Sequence, residues 1–276
     1  MNIKKEFLKE ILISLKKDEK INIPSYSSNI FKCQNCLEIN EKHRAVVIEW
    51  LSYIVCYFSQ SNETLFISIN IMDRYISQKK ITLDKYQLVA ISSYLIASKY
   101  EDTNSPLIDD LIFVSKNIYS QNDIITMEKD ILITLNFDIF SVSSYQFFSF
   151  FYLISDLNNK ILFCLGHLIL ELCLLNIDIM SSQPSLIAIG ALLIAKKSLE
   201  IKNKLSIIKL FNNYNDNDIK EIQKKIVLFL NKIVYSNKNC LILEKFEKKK
   251  YLSVSYIFKC DNKSNMCDNI CYKRNK

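Results

Sequence analysis

LVAISSYLIASK, residues 88–99, and LIAIGALLIAKK, residues 186–197, are two versions of one line. Small side chains fall at matching offsets, Ala90, Ser93 and Ala97 in the first and Ala188, Ala191 and Ala195 in the second. At that spacing they share one helical face and let neighbouring helices approach closely, so each copy reads as the central helix of a bundle. A second pair repeats almost in step: NDIITMEKDILITLN at 122–136 returns as NDIKEIQKKIVLFLN at 217–231, and the two pairs are displaced by 98 and 95 residues. The chain therefore reads as two tandem helical domains of about 95 residues each, a size at which one core per domain is ordinary.

Composition points the same way. Two glycines and three prolines in 276 residues leave little material for the left-handed turns of hairpins, so the expected class is all-α. The same scarcity removes phosphate-cradling glycine loops, and two histidines, His43 and His167, form no familiar nucleophile or zinc-hydrolase motif. An enzyme is not expected, nor a cofactor. The most apolar stretch, ILFCLGHLILELCLLNI at 161–177, is interrupted by His167 and Glu171, as suits a buried helix rather than a membrane span. No signal peptide is evident in MNIKKEFLKEILISLKKDEK, and the chain reads as soluble and intracellular. Nine cysteines fit that compartment as thiols; the Cys33–Cys36 pair and the cluster Cys260, Cys267 and Cys271 do not match a paired zinc site. A net charge of +7 is modest for this length and by itself is a solubility feature, so nucleic acid is not expected as a partner.

Periodicity and caps place the helices. In the first copy they run over Arg44–Phe58, Glu63–Ser77, Asp84–Tyr100, a short fourth helix capped by Ser105 with Pro106 at its first position, and Ser120–Asn136, which opens on a Ser-x-x-Asp box. The second copy gives Ser144–Leu157, Asn159–Asn176, Pro184–Leu199, a short helix near Leu205–Asn212, and Asp216–Tyr235. An amphipathic helix, Lys4–Lys17, leads the chain. The expected division is 1–40 for that helix and a linker, 41–140 and 141–258 for the two five-helix domains, and 259–276 for a disordered, basic, cysteine-containing tail.

Charges on apolar faces are the functional clues. Glu128 interrupts the stripe Ile124, Ile131, Leu135, and Asp73 lies on the line of Ile69 and Ile76. Arg44 opens its helix beside Val47 and Ile48. Buried charge requires a partner. Arginine is rare, three residues against thirty-three lysines, so Arg44 and Arg74 draw notice, and the planar fork of Arg44 suits a buried carboxylate. An Arg44–Asp73 ion pair is expected. Lys99 ends an apolar helix, and two readings of Lys99 and Glu128 stay open on periodicity alone: a pair at a solvated rim, or a donor and an acceptor facing a partner's backbone.

Taken together, HRAVVIEWL, ETLFISINIMDRYIS, QLVAISSYLIASKYED and MEKDILITLNFDI resemble a cyclin box of the A and B type. The resemblance continues through ELCLLNID and PSLIAIGALLIA to KFEKKKYLSVS at 245–255. It implies two five-helix boxes and a non-catalytic subunit that binds and activates a cyclin-dependent protein kinase in cell-cycle control. The surface of the third and fifth helices of the first box would pack on the kinase's mobile helix. Lys99 and Glu128 match the polar kinase-contact positions, with Ile96, Tyr100, Leu132, Phe137 and Ile139 as apolar neighbours. A second implied surface, a groove docking basic-leucine motifs of substrates or inhibitors, is matched by Trp50, Val46 and Gln87. It departs from the family at Tyr53, where an acidic residue is usual, and at His43, where Met or Gln is usual. The implied location is nucleus and cytoplasm. The alternatives are a transcription-type cyclin and a basic two-box factor resembling transcription factor IIB, which shares the repeated fold; an interaction module that activates nothing is a third.

Overall fold

The computed structural model describes residues 2–24, 26, 30–31, 39–155, 158–201, 214–236 and 240–257. Cys33, Cys36, Cys260, Cys267 and Cys271, the helix expected near 205–212, and the tail 259–276 lie outside the described residues. All regular structure among them is helical. Two compact units form: residues 17–143, and residues 144–276 together with 1–16. The leading stretch, read from sequence as one piece, is thus shared between the units.

The first unit is built from α2 (Glu41–Tyr57), α3 (Asn62–Gln78), α4 (Leu83–Glu101), α5 (Ile108–Val114) and α6 (Gln121–Thr134). Its axis is α4. Every residue from Leu88 to Ser98 is buried, because α3 and α6 pack along it and α2 and α3 close the rest. Ala90, Ser93 and Ala97 are fully enclosed: short side chains there bring the neighbours near enough to cover the whole circumference. Asn40, whose side chain accepts from the N–H groups of Lys42 (3.0 Å) and His43 (3.4 Å), starts α2 a turn earlier than the apolar period indicates. Ser120 and Asp123 make the expected reciprocal cap of α6, with distances of 3.2 and 2.9 Å.

The fourth helix begins later than expected. It starts at Ile108, after Leu107 in extended conformation. Pro106 is buried before the helix, not placed in its first turn, and the Asp110 carboxylate reaches back to the Leu107 N–H at 3.2 Å. A carboxylate that can satisfy an orphan donor at the helix start displaces the Ser-Pro signal.

The second unit repeats the plan with α7 (Ser144–Ile154), α8 (Lys160–Cys173), α9 (Ile177–Met180), α10 (Pro184–Ser198) and α11 (Asp216–Tyr235), followed by α12 (Leu241–Lys245) and a 3₁₀ turn, Lys249–Tyr251. α1 (Asn2–Asp18) belongs here through Lys16, which donates to Ser185 Oγ at 3.1 Å and lies 4.4 Å above the Tyr214 ring. α10 is the buried axis. Both glycines of the chain serve helix contact, and neither has a positive φ. A Cβ at Gly190 would lie 3.0 Å from Ile226 and 3.3 Å from Ile222 on α11, and one at Gly166 would lie 2.3 Å from the Phe148 ring.

The segment LIASKYED at 95–102 ends in charge partly for a structural reason. Asp102 caps α4, and its carboxylate accepts from the Ser61 N–H at 2.8 Å and from Thr64 Oγ1 at 2.6 Å. The end of one helix thereby satisfies donors at the start of α3. Asp102→Ala is expected to lower the stability of this unit by about 1–2 kcal/mol. A urea titration followed by circular dichroism reads this as a lower midpoint at unchanged slope, while an unaltered midpoint contradicts it.

Candidate protein-interaction site

The interior of the first unit holds a complete ionic cluster. Arg44 Nε donates to Asp73 Oδ1 at 3.0 Å and Nη2 to Oδ2 at 2.7 Å, with both side chains enclosed. Tyr26, from the segment preceding α2, donates its hydroxyl to Asp73 Oδ2 at 2.8 Å. Burial would lower the Arg44 pKa, but the Asp73 charge outweighs it and raises it. For Tyr26, burial and then Asp73 push the phenol well above its usual value. This cluster ties α2, α3 and the preceding segment together; it faces no solvent. Tyr26 was not evident in the sequence, since nothing in a polar turn marks a tyrosine as the third member of a buried pair.

Lys99 and Glu128 meet at the surface. Lys99, in the last turn of α4, approaches Glu128 Oε1 of α6 to 2.6 Å, with Lys99 47% exposed and Glu128 14%. The α4 stem is buried up to Ser98, so the lysine emerges where the axis helix leaves the core. Tyr100 beside it is exposed, while Leu132 and Ile139 are half-buried. Ile96, expected among these apolar neighbours, is only 3% exposed. It is enclosed with the rest of the axis helix.

Phe137 is the most telling member. Its side chain is 68% exposed, and its backbone is left-handed, φ 57°, directly after Asn136 at φ 53°. The Phe137 N–H is fixed to the Leu132 carbonyl at 2.8 Å. Left-handed backbone costs a residue with a Cβ about 1–2 kcal/mol, so here an aromatic ring is held in water at an energetic cost, a pattern typical of sites of contact. Ile133 on the same helix is also exposed. Sequence periodicity could not supply this feature, because it lies just past the helix end.

Elsewhere in the unit, Val46 and Tyr53 of α2 are exposed, and Trp50 and Gln87 are half-buried. His43 Nδ1 is enclosed without a hydrogen-bond partner. Tyr57 and Leu83 add exposed apolar surface. Among the described residues there is no cluster of ligating side chains that could hold a metal ion, and no described helix is long and apolar enough to cross a membrane.

The chain matches the family description "Cyclin, N-terminal domain" over residues 10–140 and "Cyclin, C-terminal domain" over 142–259. It belongs to the cyclin family. This cyclin is similar to Cyclin-B2-1 of Arabidopsis thaliana, 31% identical over 228 residues, covering 82% of this chain and 52% of the relative. It is likewise similar to Cyclin-B1-3 of the same plant, 32% identical over 212 residues, 76% of this chain and 51% of the relative. The chain thus spans about half the length of these curated relatives. Among solved structures, a viral cyclin from herpesvirus saimiri aligns with a TM-score of 0.67 at 21% identity, over 79% of this chain and 97% of that one. A chain of the yeast RNA Pol II CTD kinase CTDK-1 complex aligns with a TM-score of 0.60 at 18% identity, over 77% of this chain and 72% of that one. These two likenesses show a shared cyclin fold, and the all-α architecture of two tandem boxes is that fold.

Proposed function

We propose that this cyclin is a non-catalytic regulatory subunit that binds and activates a cyclin-dependent serine/threonine kinase, working in nucleus and cytoplasm during cell division. The observation that carries the reading is the α4–α6 surface: a half-exposed Lys99–Glu128 pair beside Tyr100 and a solvent-held Phe137. Lys99 offers ammonium donors to backbone carbonyls, and Glu128 accepts from N–H groups. Lys99 is the exposed member of the pair and Glu128 the more enclosed one, so the lysine can exchange its carboxylate for a partner's backbone carbonyls while Glu128 turns to a partner's N–H groups. The B-type relatives support a cell-cycle role over a transcription-type or IIB-like one.

The test is phosphorylation of a histone-type substrate by a recombinant cyclin-dependent kinase, alone, with this protein, and with a Lys99→Ala, Glu128→Ala double variant. Strong stimulation by the parent and its loss with the folded variant are expected. Phe137→Gly adds a sharper arm. It removes the left-handed strain, so unfolding midpoints should rise by the equivalent of roughly 0.5–1 kcal/mol, while kinase affinity falls. A variant that loses both stability and binding would make Phe137 a packing residue instead. For the α2 surface, we propose docking of substrate or inhibitor segments through Val46, Trp50, Tyr53 and Gln87. With Tyr53 in place of a carboxylate, the leucine of a basic-leucine motif would carry more of the recognition than its arginine.

A further inference from the structure

Arg74 is an anomaly. It lies on α3, one residue after Asp73, with only 8% of its surface exposed. Unlike Arg44, its guanidinium makes no hydrogen bond or ion pair, and Nη1 is enclosed without a partner. One turn earlier on the same helix, Asn70 Oδ1 is also enclosed and unpartnered. An enclosed guanidinium N–H left without an acceptor is costly, and a core that folds this way must gain elsewhere.

The surroundings indicate where. Burial lowers the Arg74 pKa, and the charge that opposes this is Asp138. Asp138 is exposed and spends its carboxylate on a neutral donor: Asn22 Nδ2 reaches Asp138 Oδ1 at 2.7 Å and the Phe140 carbonyl at 2.7 Å. The Asn22 carbonyl in turn accepts from Asn70 Nδ2 at 2.9 Å. Asn22 itself and the two residues preceding Asp138, Asn136 and Phe137, have left-handed backbones with φ of 56°, 53° and 57°. Asp138 stands between Phe137 and Ile139, the two loop residues assigned above to the partner surface. An anion near a buried cation, diverted to an amide and flanked by strained backbone, describes an arrangement poised to change.

We propose that Arg74 is the waiting half of an ion pair that Asp138 completes when a partner seats on Phe137 and Ile139, which makes Arg74 a positioning residue for the kinase-facing loop. This inference rests on the kinase reading. Seating the loop turns Asp138 from Asn22 to Arg74, exchanging a charge–neutral contact for a bidentate charged one. Binding energy then locks Phe137 in place, and the free chain keeps the loop adjustable.

A double-mutant cycle tests it, with Arg74→Met as a similarly sized apolar replacement and Asp138→Asn. Thermal unfolding of the free protein and affinity for a recombinant cyclin-dependent kinase are measured for all four proteins. In the free protein, Arg74→Met should leave the midpoint unchanged or raise it, and the two changes should add. In the complex, each single change should weaken affinity about tenfold, and the double variant should be no weaker than either. If Arg74→Met and Asp138→Asn both lower the free midpoint without adding, the pair already exists and the proposal fails. If their effects on affinity multiply, no pair forms in the complex and it fails equally. Absence of kinase binding by the parent protein overturns the kinase reading, and this inference with it; binding with independent effects overturns the inference alone.

Discussion

Asp73→Ala is expected to unfold the first box at markedly lower denaturant, a loss of about 3–5 kcal/mol, because it removes the carboxylate that the enclosed Arg44 guanidinium grips with two nitrogens. Arg44 Nε and Nη2 both end on Asp73, and so does the Tyr26 hydroxyl, so one deletion removes an acceptor that three donors share. Against a total stability that for ordinary domains is about 5–15 kcal/mol, that is a large share. Asp73→Asn keeps the shape but not the charge and should cost nearly as much. The decisive comparison is the double replacement Arg44→Met, Asp73→Leu. If the loss in Asp73→Ala comes from a stranded charge, this apolar pair recovers much of the stability, since an intact buried pair adds little over well-packed hydrocarbon. A double variant no more stable than the single one would show that the fork itself specifies the fold. Urea midpoints at constant slope give the readout.

The second large effect lies in the other box. Glu171 of α8 is enclosed, with Lys245 of α12 donating to its Oε1 at 2.6 Å and His167 Nε2 lying 2.8 Å from the same oxygen. The His167 ring is packed among Tyr145 (5.0 Å), Phe246 (5.1 Å) and Tyr251 (6.4 Å between centroids). Lys245→Met should cost this box about 3–5 kcal/mol by leaving the carboxylate without its main cation. Acid sensitivity gives an independent check. Burial would raise the Glu171 pKa, but the Lys245 charge, with His167, brings it down to about 2. The stability this supplies is present above the ordinary carboxylate value and is lost as pH falls toward about 2. For His167, burial lowers the pKa more than Glu171 raises it. The unfolded chain therefore binds that proton first, and stability begins to fall as pH drops below about 6.5, the ordinary histidine value. His167→Gln should flatten the loss just below pH 6.5 while leaving the more acidic one, and Lys245→Met should move the acidic one upward. Stability independent of pH between 7 and 3 would contradict both assignments.

How much of this was legible depends on whether a residue's role is fixed by its own helix. The small-residue stripes announce α4 and α10 because burial all around a helix leaves a local period. Arg44 and Asp73 could be matched because both stand on apolar faces and the planar fork of a rare arginine suits a buried carboxylate. Lys245 and Glu171 were missed: they are 74 residues apart, and Lys245 looks like one of many lysines in KFEKKK. Asp102, at the end of α4, also satisfies donors at the start of α3, a relation set by how helices meet rather than by pattern. Ile96 is enclosed, and on a helix buried all around no period tells which apolar residue lies nearest the rim. Phe137 lies where helical period has already ended, so only the family resemblance marked it in the sequence, and its left-handed backbone and exposure appear in the structure alone.

Glu171 follows Asp73 by 98 residues, the displacement that separates the two stripes, so both boxes bury an acid at the same step of the repeat. Their cations come from opposite directions along the chain: Arg44 precedes its acid and Lys245 follows. During synthesis the first box has its neutralising charge in hand before the acid emerges from the ribosome, and it can close while the rest is still being made. The second box must keep Glu171 in water until residue 245 has cleared the exit. A chain ending anywhere between the two keeps the first box's ion pair and lacks the lysine of the second, so the first box can close on its own charges while the second waits for its last helix.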